Sequence, residues 1–327
     1  MTTDPAQEPT GEPAAAPAAP ALPTVSVVIA TRDRPQLLRE ALRAVAAQDY
    51  EGAVECIVVF DQTAPDHSLA DDSPTRPVRV VRNERTPGLP GARNTGILAA
   101  AADHVAFCDD DDTWRPAKVR LQVEAMRRAA ERGEAAVAAV CGITIRYGDK
   151  AVDRIPRAGD LTVEALTRDR VSAAHPSTVL VDRLALLDRV GLVDEAIPGA
   201  YGEDYDWLLR AVKAGPVVAV EQPLVVVLWH PGSYFAERWQ TIIDALDYLV
   251  EKHPEFRTSA RGLARIQGQK AFAYAALGQS RTACRWAGRT LRLNWRERRA
   301  YLAILVAGRV LTPRLVLHLA HQRGRGI

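Results

Sequence analysis

The chain has 327 residues, of which 47% are hydrophobic and 25% are charged. These proportions are typical of a soluble globular protein and exclude a disordered, collagen-like or disulfide-stapled chain. The net charge of +2 hides a split, because the residues from Phe256 onward carry 15 Lys and Arg against one acid, Glu297. That region has a net charge of +14, which leaves −12 for the first 255 residues. An acidic N-terminal region followed by a basic C-terminal region indicates that the two regions have different functions.

The first 23 residues predict a disordered leader. They contain six Pro, seven Ala and no Lys or Arg, whereas an export signal needs a basic start followed by an apolar stretch. The four cysteines are widely separated and have no metal-ligand spacing, which favours free thiols in a reducing compartment. We therefore expect a cytoplasmic protein. The cysteines are Cys56, Cys108, Cys141 and Cys284.

Strands alternate with helices in the first half of the chain. Four short apolar runs predict strands, at residues 25–30, 54–60, 78–81 and 104–108. Helices are predicted to begin at Pro35 and to cover Ala92–Ala102. This alternation predicts an α/β fold with a mostly parallel sheet flanked by helices. Ligands of such sheets bind outside the carboxyl ends of the strands, where Asp61 and Asp109–Asp112 follow.

From about residue 237 onward the pattern is helical, with no strand signal. Apolar stripes between basic residues predict four helices, Thr241–Lys252, Ala260–Leu277, Arg281–Leu293 and Arg298–Leu311. Charges and a proline interrupt the most apolar window, 301–320, so it is expected to lie on a membrane rather than to span one. The predicted domains are a leader (1–23), an α/β domain (24–236) and a basic helical region (237–327).

Four adjacent carboxylates, Asp109–Asp112, repel one another unless water solvates them or a cation neutralises them. A solvated acidic turn is the simplest interpretation of such a run. Here the run directly follows the apolar residues 105–108, so we favour a metal–phosphate site at a strand end. An EF-hand is disfavoured because its ligand order breaks at Thr113 and Trp114.

Three other segments carry candidate functional residues. The glycine-rich segment 88–96, which includes Arg93, suits an anion at a helix start, although a simple turn fits as well. The acids of segment 202–210 either complement a helix dipole or supply a general base. His230 is either a metal ligand or, as is commoner for a lone histidine, structural. The segment His175-Pro176-Ser177 is predicted to be a loop.

The order of these motifs resembles that of the inverting family-2 glycosyltransferases. The resemblance covers residues 24–235 and rests on five segments, 27–35, 58–61, 91–96, 107–114 and 202–210. It implies the glycosyltransferase A-type fold, in which a Rossmann-like α/β nucleotide-binding half joins an acceptor-binding half. In this chain a C-terminal helical extension would follow that fold.

The resemblance implies a role for each matching residue. Thr31 and Asp61 would line the nucleoside pocket, with Asp61 on the base. Asp109 and Asp111 match the D-x-D motif, so that Asp109 would touch the ribose and Asp111 would hold Mg²⁺ or Mn²⁺ on the diphosphate. Arg93, which the glycine-rich helix start places near an anion, is also expected to contact the nucleotide sugar.

The resemblance also assigns a catalytic base and a further metal ligand, and the chain departs from the family pattern after the second strand. Asp204 corresponds to the catalytic base, and His230 would complete the metal shell. The register of the four-aspartate run is open, because Asp110 and Asp112 could share the metal role. Family members often have Asp-Asp-Gly-Ser after the second strand, whereas this chain has Phe-Asp-Gln-Thr at 60–63. This difference leaves the nucleobase and the sugar of the donor undefined.

The function that the resemblance implies is an inverting, hexosyltransferase-type transfer from a nucleotide sugar to an acceptor hydroxyl, dependent on Mg²⁺ or Mn²⁺. The acceptor would be a glycan, a lipid-linked sugar or another hydroxyl compound in polysaccharide, glycolipid or other glycoconjugate synthesis. Two alternatives are a nucleotidyltransferase and a non-catalytic nucleotide-sugar-binding module. A nucleotidyltransferase should have a Gly-rich, Lys-bearing loop after the first strand, which segment 31–35 is not.

The basic helical region has three interpretations. It packs on the α/β domain, docks on anionic lipid, or binds nucleic acid. Trp286, Trp295 and Tyr301 interleaved with arginines suit interfacial helices, and no nucleic-acid motif is present. We expect peripheral contact at the inner face of the plasma membrane and no nucleic-acid partner.

Overall fold

The structure is a computed structural model that describes residues 21–148, 150–171, 173–228 and 238–321. Residues 1–20 of the predicted leader and His230 lie outside these ranges. The described strands are β1 (Val25–Thr31), β2 (Val54–Phe60), β3 (Val78–Arg82), β4 (His104–Asp109), β5 (Thr113–Trp114), β6 (Ala138–Tyr147), β7 (Lys150–Arg154), β8 (Leu180–Asp182) and β9 (Val217–Leu228).

The described α-helices flank this sheet and continue beyond it. They are α1 (Pro35–Ala46), α2 (Leu89–Ala99), α3 (Lys118–Glu131), α4 (Val163–Arg168), α5 (Arg183–Ala185), α6 (Glu203–Ala214), α7 (Trp239–Lys252), α8 (Ala260–Ala276), α9 (Ser280–Leu293), α10 (Arg298–Ala307) and α11 (Pro313–His321). A π-helical turn, Leu186–Val190, continues α5.

One mixed sheet runs in the order β3-β2-β1-β4-β8-β6-β9-β5, and β7 pairs with β6. The first four strands of this order are parallel, as predicted, and β6 and β9 are also parallel. Strand β8 is antiparallel to both of its neighbours, and β5 and β7 are antiparallel to theirs. The predicted α/β class with helices after the sheet is confirmed, and the antiparallel pairs make the sheet mixed.

The sheet is buried on both faces because its side chains alternate between two apolar clusters. Val27 and Ile29 of β1 pack with helices α1 and α3 on one face. Val28, between them, packs with α2 and α6 on the other face. Burial on both faces explains why β1 is a continuous apolar run rather than an alternating one.

Helix α2 lies unusually close to β1, and a glycine makes this possible. A Cβ atom on Gly96 would lie 2.3 Å from Cγ1 of Val28. Even an alanine at this position would therefore push the helix off the sheet. The close packing fixes the start of α2 next to the carboxyl ends of the parallel strands.

The C-terminal helices share apolar cores with each other and with the α/β domain. Ile242 of α7 and Ile266 of α8 pack with Leu166 of α4 and with Leu208 and Leu209 of α6. Helices α8 to α11 also form a cluster of their own, built largely on small residues. The domain boundary at 236/237 stays a prediction. Among the described residues, no helix has the length and apolar character needed to cross a membrane.

Candidate active site

The carboxyl ends of the parallel strands bring three of the predicted site residues to one edge of the sheet. Thr31 at the end of β1 pairs with Phe60 of β2, and Ala30 pairs with Asp109 of β4. Asp61, which directly follows β2, therefore lies beside Thr31 and near Asp109. This meeting of strand ends was predicted from the alternation of strands and helices.

Asp61 ties the end of β2 to the loop before α2. Its carboxylate accepts hydrogen bonds from Nδ2 of Asn83 (2.8 Å), Nε2 of Gln62 (2.8 Å) and the backbone N–H of Gly88 (3.1 Å). Burial opposes ionisation, but these hydrogen bonds outweigh it and lower the pKa of Asp61. Asp61 is therefore a fixed, charged acceptor at the edge of the sheet.

The loop before α2 has a shape that only glycine permits. Gly88 has a φ of +116°, and a Cβ atom on Gly91 would lie 1.9 Å from the carbonyl oxygen of Thr86. The tight turn places the first residues of α2 at the same edge as Asp61, where both line one cleft. The start of a helix favours bound anions, so the segment suits a ligand as well as a turn.

Each of the four consecutive aspartates has a side-chain partner, and Asp110 and Asp111 share Arg34. Asp110 accepts from Oγ1 of Thr31 (2.8 Å), and Nη1 of Arg34 donates to Asp110 (3.1 Å) and to Asp111 (2.7 Å). Asp112 is 1% exposed and accepts from Oγ of Ser177 at 2.5 Å. The run is therefore a structured cluster, and a simple solvated turn does not describe it.

Arg93 joins the aspartate cluster to the start of α6. Its side chain is 4% exposed, with Nη2 donating to Asp109 and Nη1 donating to Glu203, each at 2.6 Å. Burial and the neighbouring charge of Asp204 raise the pKa of Glu203 to about 7, against the opposing effect of Arg93. The guanidinium is thus occupied by two carboxylates of the protein, which fits a positioning role. The contact of Arg93 with a nucleotide sugar stays a prediction.

Asp204 follows in the first turn of α6. Its Oδ2 accepts a 2.6 Å hydrogen bond from Nη2 of Arg170, and its Oδ1 accepts the backbone N–H of Tyr205 at 2.8 Å. Burial would raise the pKa of Asp204, but the positive charge of Arg170 outweighs this and lowers it. Asp204 is therefore a carboxylate at neutral pH, able to accept a proton.

These residues surround a cleft of about 890 Å³. Thr31, Asp61 and the loop before α2 line one part, and Asp109–Asp111 with Glu203 line another. Asp204 lines a small adjoining pocket that also includes Glu203. The volume is in the range of clefts that hold cofactor-sized ligands.

Two sets of residues offer ligand atoms that suit a divalent cation. Asp109 and Asp111 both line the cleft and offer the carboxylate oxygens that Mg²⁺ and Mn²⁺ prefer. Asp109 also forms a second group with Asp112 and His175, whose ligand atoms all lie within 4.8 Å of one another. Burial lowers the pKa of His175, which favours the neutral, metal-binding form. Asp109 belongs to both sets, so the residues fit the predicted metal.

Sequence reasoning missed four residues of this site. Arg34 contacts two of the acids, Arg170 and Ser177 contact one each, and His175 was interpreted only as part of a loop. His175 and Ser177 precede β8, a strand of three residues that carries no detectable pattern by itself. For Arg170, His175 and Ser177 the only signal lay in the polar residues between 167 and 178, whereas Arg34 belongs to the motif segment 27–35.

Residues 26–171 match the sequence profile described as "Glycosyl transferase family 2". This range contains β1 except its first residue, β2, β4, the four aspartates and Arg170. The chain contains a family 2 glycosyltransferase domain. The match contains four of the five motif segments, all but 202–210, and confirms the resemblance.

The glycosyltransferase domain is also similar to curated relatives. The chain is 29% identical over 225 residues to the succinoglycan biosynthesis protein ExoO of Rhizobium meliloti. The alignment covers 65% of this chain and 62% of ExoO, so the chain spans about three fifths of that relative.

Solved structures confirm the glycosyltransferase A-type fold. TarS of S. aureus (residues 1–349), in complex with UDP-GlcNAc, superposes with a TM-score of 0.56 at 16% identity and covers 92% of each chain. The mannosyltransferase PcManGT of Pyrobaculum calidifontis, in complex with GDP-Man and Mn²⁺, gives a TM-score of 0.52 at 18% identity, covering 91% of this chain and 87% of PcManGT.

Proposed function

We propose that this chain transfers a sugar from a nucleoside diphosphate sugar to an acceptor hydroxyl, with inversion at the anomeric carbon. The observation that carries the proposal is the position of the Glu203–Asp204 pair beside a cleft lined by Asp61 and by Asp109–Asp111. The pair supplies a base next to a cleft whose carboxylates suit a nucleoside and a cation bound to its diphosphate. We propose a hexose as the transferred sugar.

Asp204 is the proposed base. Its carboxylate accepts the proton of the acceptor hydroxyl while the hydroxyl oxygen forms a bond to the anomeric carbon. The bond from that carbon to the diphosphate breaks on the opposite face, and its electron pair leaves with the diphosphate. A single displacement of this kind inverts the anomeric centre and needs no covalent enzyme intermediate.

The other acids and their partners bind and orient the donor. Thr31 and Asp61 are proposed to contact the nucleoside, and Asp109 the ribose. When bound, Mg²⁺ or Mn²⁺ supplies positive charge that stabilises the leaving diphosphate, and Asp111 with Asp109 would hold it. The PcManGT complex, which contains Mn²⁺ together with GDP-Man, supports this part of the proposal.

The acceptor is proposed to be a glycan or a lipid-linked sugar in polysaccharide or glycolipid synthesis. Support comes from ExoO, whose name assigns it to succinoglycan biosynthesis. All four cysteines are free and three are buried, which supports the proposed cytoplasmic location.

The test is release of nucleoside diphosphate from a panel of nucleotide sugars, with Mn²⁺ or Mg²⁺ and then with chelator. We expect metal-dependent release from one donor, and nucleotide binding is measured in the same samples. Release of pyrophosphate would instead indicate nucleotidyl transfer. Binding without any product would indicate a binding module, and no binding to folded protein would refute the proposal.

The assigned base is tested by Asp204→Asn. We expect turnover to fall by at least 100-fold while nucleotide affinity stays nearly unchanged, because general base catalysis contributes about 10²–10⁴-fold. The control is Asp188→Asn, which removes an exposed carboxylate outside the cleft. Equal loss of affinity and turnover in Asp204→Asn would contradict the assigned role.

A further inference from the structure

Helix α9 carries a row of exposed arginines. Arg281, Arg285, Arg289 and Arg292 are spaced by four, four and three residues, which puts them on one face of the helix, and none of the four is buried. The opposite face of α9 is buried through Ala283, Ala287 and Thr290. We call the four arginines the basic stripe.

Within the described part of the chain, none of these four arginines forms an ion pair with a carboxylate. The acid nearest in sequence, Glu297, is bonded to Arg299 at 2.9 Å. Arg289 lies over the ring of Trp286, 5.1 Å from its centroid. Like charges three or four residues apart repel one another along a helix. The basic stripe therefore favours an anionic partner from outside the chain.

An apolar stripe lies on the two helices that follow α9 in the same cluster. Seven large apolar side chains in this region are between 39% and 70% exposed. Three are on α10, two are on α11, and the loops at the two ends of α10 contribute Trp295 and Val310. They are Tyr301, Ile304, Leu305, Leu315, Leu319, Trp295 and Val310.

The two stripes belong to one unit of the fold. Helices α9, α10 and α11 pack on a common cluster that includes Ala287, Ala303 and Val316. The hydroxyl of Tyr301 donates to the backbone oxygen of Trp295 at 2.7 Å, and Arg296 lies over the Trp295 ring at 4.9 Å. Aromatic, aliphatic and guanidinium groups are therefore presented together at the turn between α9 and α10.

We propose that the basic and apolar stripes of α9–α11 form a docking surface for an anionic phospholipid bilayer. Arginines on one face bind lipid phosphates, and the neighbouring aromatic and aliphatic side chains enter the boundary between head groups and acyl chains. A nucleic acid would satisfy the arginines but offers no comparable environment for Ile304, Leu305 or Val310. The surface and its ligand do not depend on the proposed transfer reaction.

The charge distribution of the whole chain favours an orientation in which the C-terminal helices face the bilayer. The region from Phe256 onward has a net charge of +14 and the preceding 255 residues have −12. An anionic membrane attracts the first and repels the second, so the field turns the C-terminal helices toward the bilayer. The Debye length is about 10 Å at 0.1 M salt, so attraction to the surface must weaken as salt is added.

The test is flotation of the full chain with vesicles of phosphatidylcholine alone or with about 30% phosphatidylglycerol. We expect binding only to the anionic vesicles, and at least a tenfold loss of affinity when salt is raised from about 0.1 to 0.5 M. The variant Arg281→Gln/Arg285→Gln/Arg289→Gln/Arg292→Gln should lose at least tenfold. The charge-matched control Arg43→Gln/Arg127→Gln/Arg128→Gln/Arg132→Gln, which removes four exposed arginines from the α/β domain, should bind like the native chain.

A second measurement examines the apolar stripe without depending on the charge variant. Cys284 is exposed on α9, whereas the other three cysteines are buried, so a polarity-sensitive fluorophore should react selectively with Cys284. We expect a blue shift on anionic vesicles, and weaker binding of Ile304→Ser/Leu305→Ser at unchanged circular dichroism. The proposal is overturned by equal binding to neutral vesicles, by native-like binding of the basic-stripe variant, or by binding to RNA but not to vesicles.

Discussion

Nη2 of Arg170 donates a 2.6 Å hydrogen bond to Oδ2 of Asp204, across 34 residues of chain. Oδ1 of the same carboxylate is held by the N–H of Tyr205. The proposed base is therefore fixed from two sides, by the loop after α4 and by its own helix. Because 42% of the Arg170 side chain is exposed, the pair is open to solvent and to an approaching acceptor.

Substitution of Arg170 should change the pH dependence of turnover. Burial alone would raise the pKa of Asp204, and the charge of Arg170 lowers it. In Arg170→Gln the pKa of Asp204 should rise, so that the carboxylate becomes protonated at a higher pH than in the native chain. We expect the acidic limb of the kcat profile to move to higher pH, measured as nucleoside diphosphate release against pH.

The control for this experiment is Arg168→Gln, an exposed arginine in the last turn of α4. It should leave the acidic limb in place. Nucleotide affinity should be similar in both variants, because neither arginine lines the large cleft. An unchanged limb in Arg170→Gln would show that Arg170 does not govern the protonation of the base.

Arg93 should be essential for stability. It is buried between Asp109 and Glu203, at 2.6 Å from each, and Arg93→Met would leave the buried carboxylate of Glu203 and the partly buried carboxylate of Asp109 without a counter-charge. We expect the free energy of unfolding at neutral pH to fall by about 3–5 kcal/mol, measured by urea denaturation. The deficit should shrink at acidic pH, where the carboxyls of the variant become neutral.

The matched control is Arg127→Met on α3, which removes an exposed pair with Glu131 at 3.2 Å. Exposed pairs of this kind contribute about 0–1 kcal/mol. A loss in Arg93→Met no larger than in Arg127→Met would mean that the buried network does not stabilise the fold.

The two candidate sets of metal ligands predict different effects of two substitutions on Mn²⁺ affinity. If Asp109 and Asp111 hold the cation, Asp111→Asn should weaken Mn²⁺ binding in the presence of nucleoside diphosphate by at least tenfold. Asp112→Asn should then leave Mn²⁺ affinity nearly unchanged, because Asp112 is 1% exposed and bonded to Ser177. Titration calorimetry measures both. The reverse result would assign the metal to Asp109, Asp112 and His175.

Burial of the Lys118 ammonium should lower the free energy of unfolding, and the size of this effect should depend on pH. Nζ of Lys118 lies 3.7 Å from the centroid of the Trp114 ring and has no hydrogen-bond partner among the described residues. Burial lowers the pKa of Lys118 to about 8. We expect Lys118→Met to unfold with a free energy about 1–4 kcal/mol higher than that of the native chain at pH 7.

The sign of the pH effect follows from proton binding. Between about pH 8 and the ordinary lysine pKa of 10.5, the folded chain binds fewer protons at Lys118 than the unfolded chain does. Its stability therefore rises with pH relative to the variant. The advantage of Lys118→Met should shrink as pH rises from 7 to 10, and an advantage independent of pH would contradict a buried ammonium.

Much of the fold was predictable because its strands and helices carry strong local patterns. The four predicted strands lie within one or two residues of β1–β4, since each is an apolar run bounded by polar residues. The helices from Trp239 to Ala307 were likewise predicted from apolar periodicity. The segment 145–200 was not, because β8 and α4 are too short to carry a pattern. Their conformations depend on pairing with β4 and β6 and on packing against α6.

The sequence by itself determined the α/β class, the family motifs and the position of Asp61 and Asp109 at strand ends, because the spacing of apolar residues and the ends of apolar runs are local properties of the chain. Only the tertiary structure decided which charges meet. Arg93 and Glu203 are 110 residues apart in the chain and bonded in the fold. Arg170 and His175 reach the acids from a segment with no local pattern. Such contacts depend on how distant elements pack, since a charged side chain carries no sequence signal for its partner.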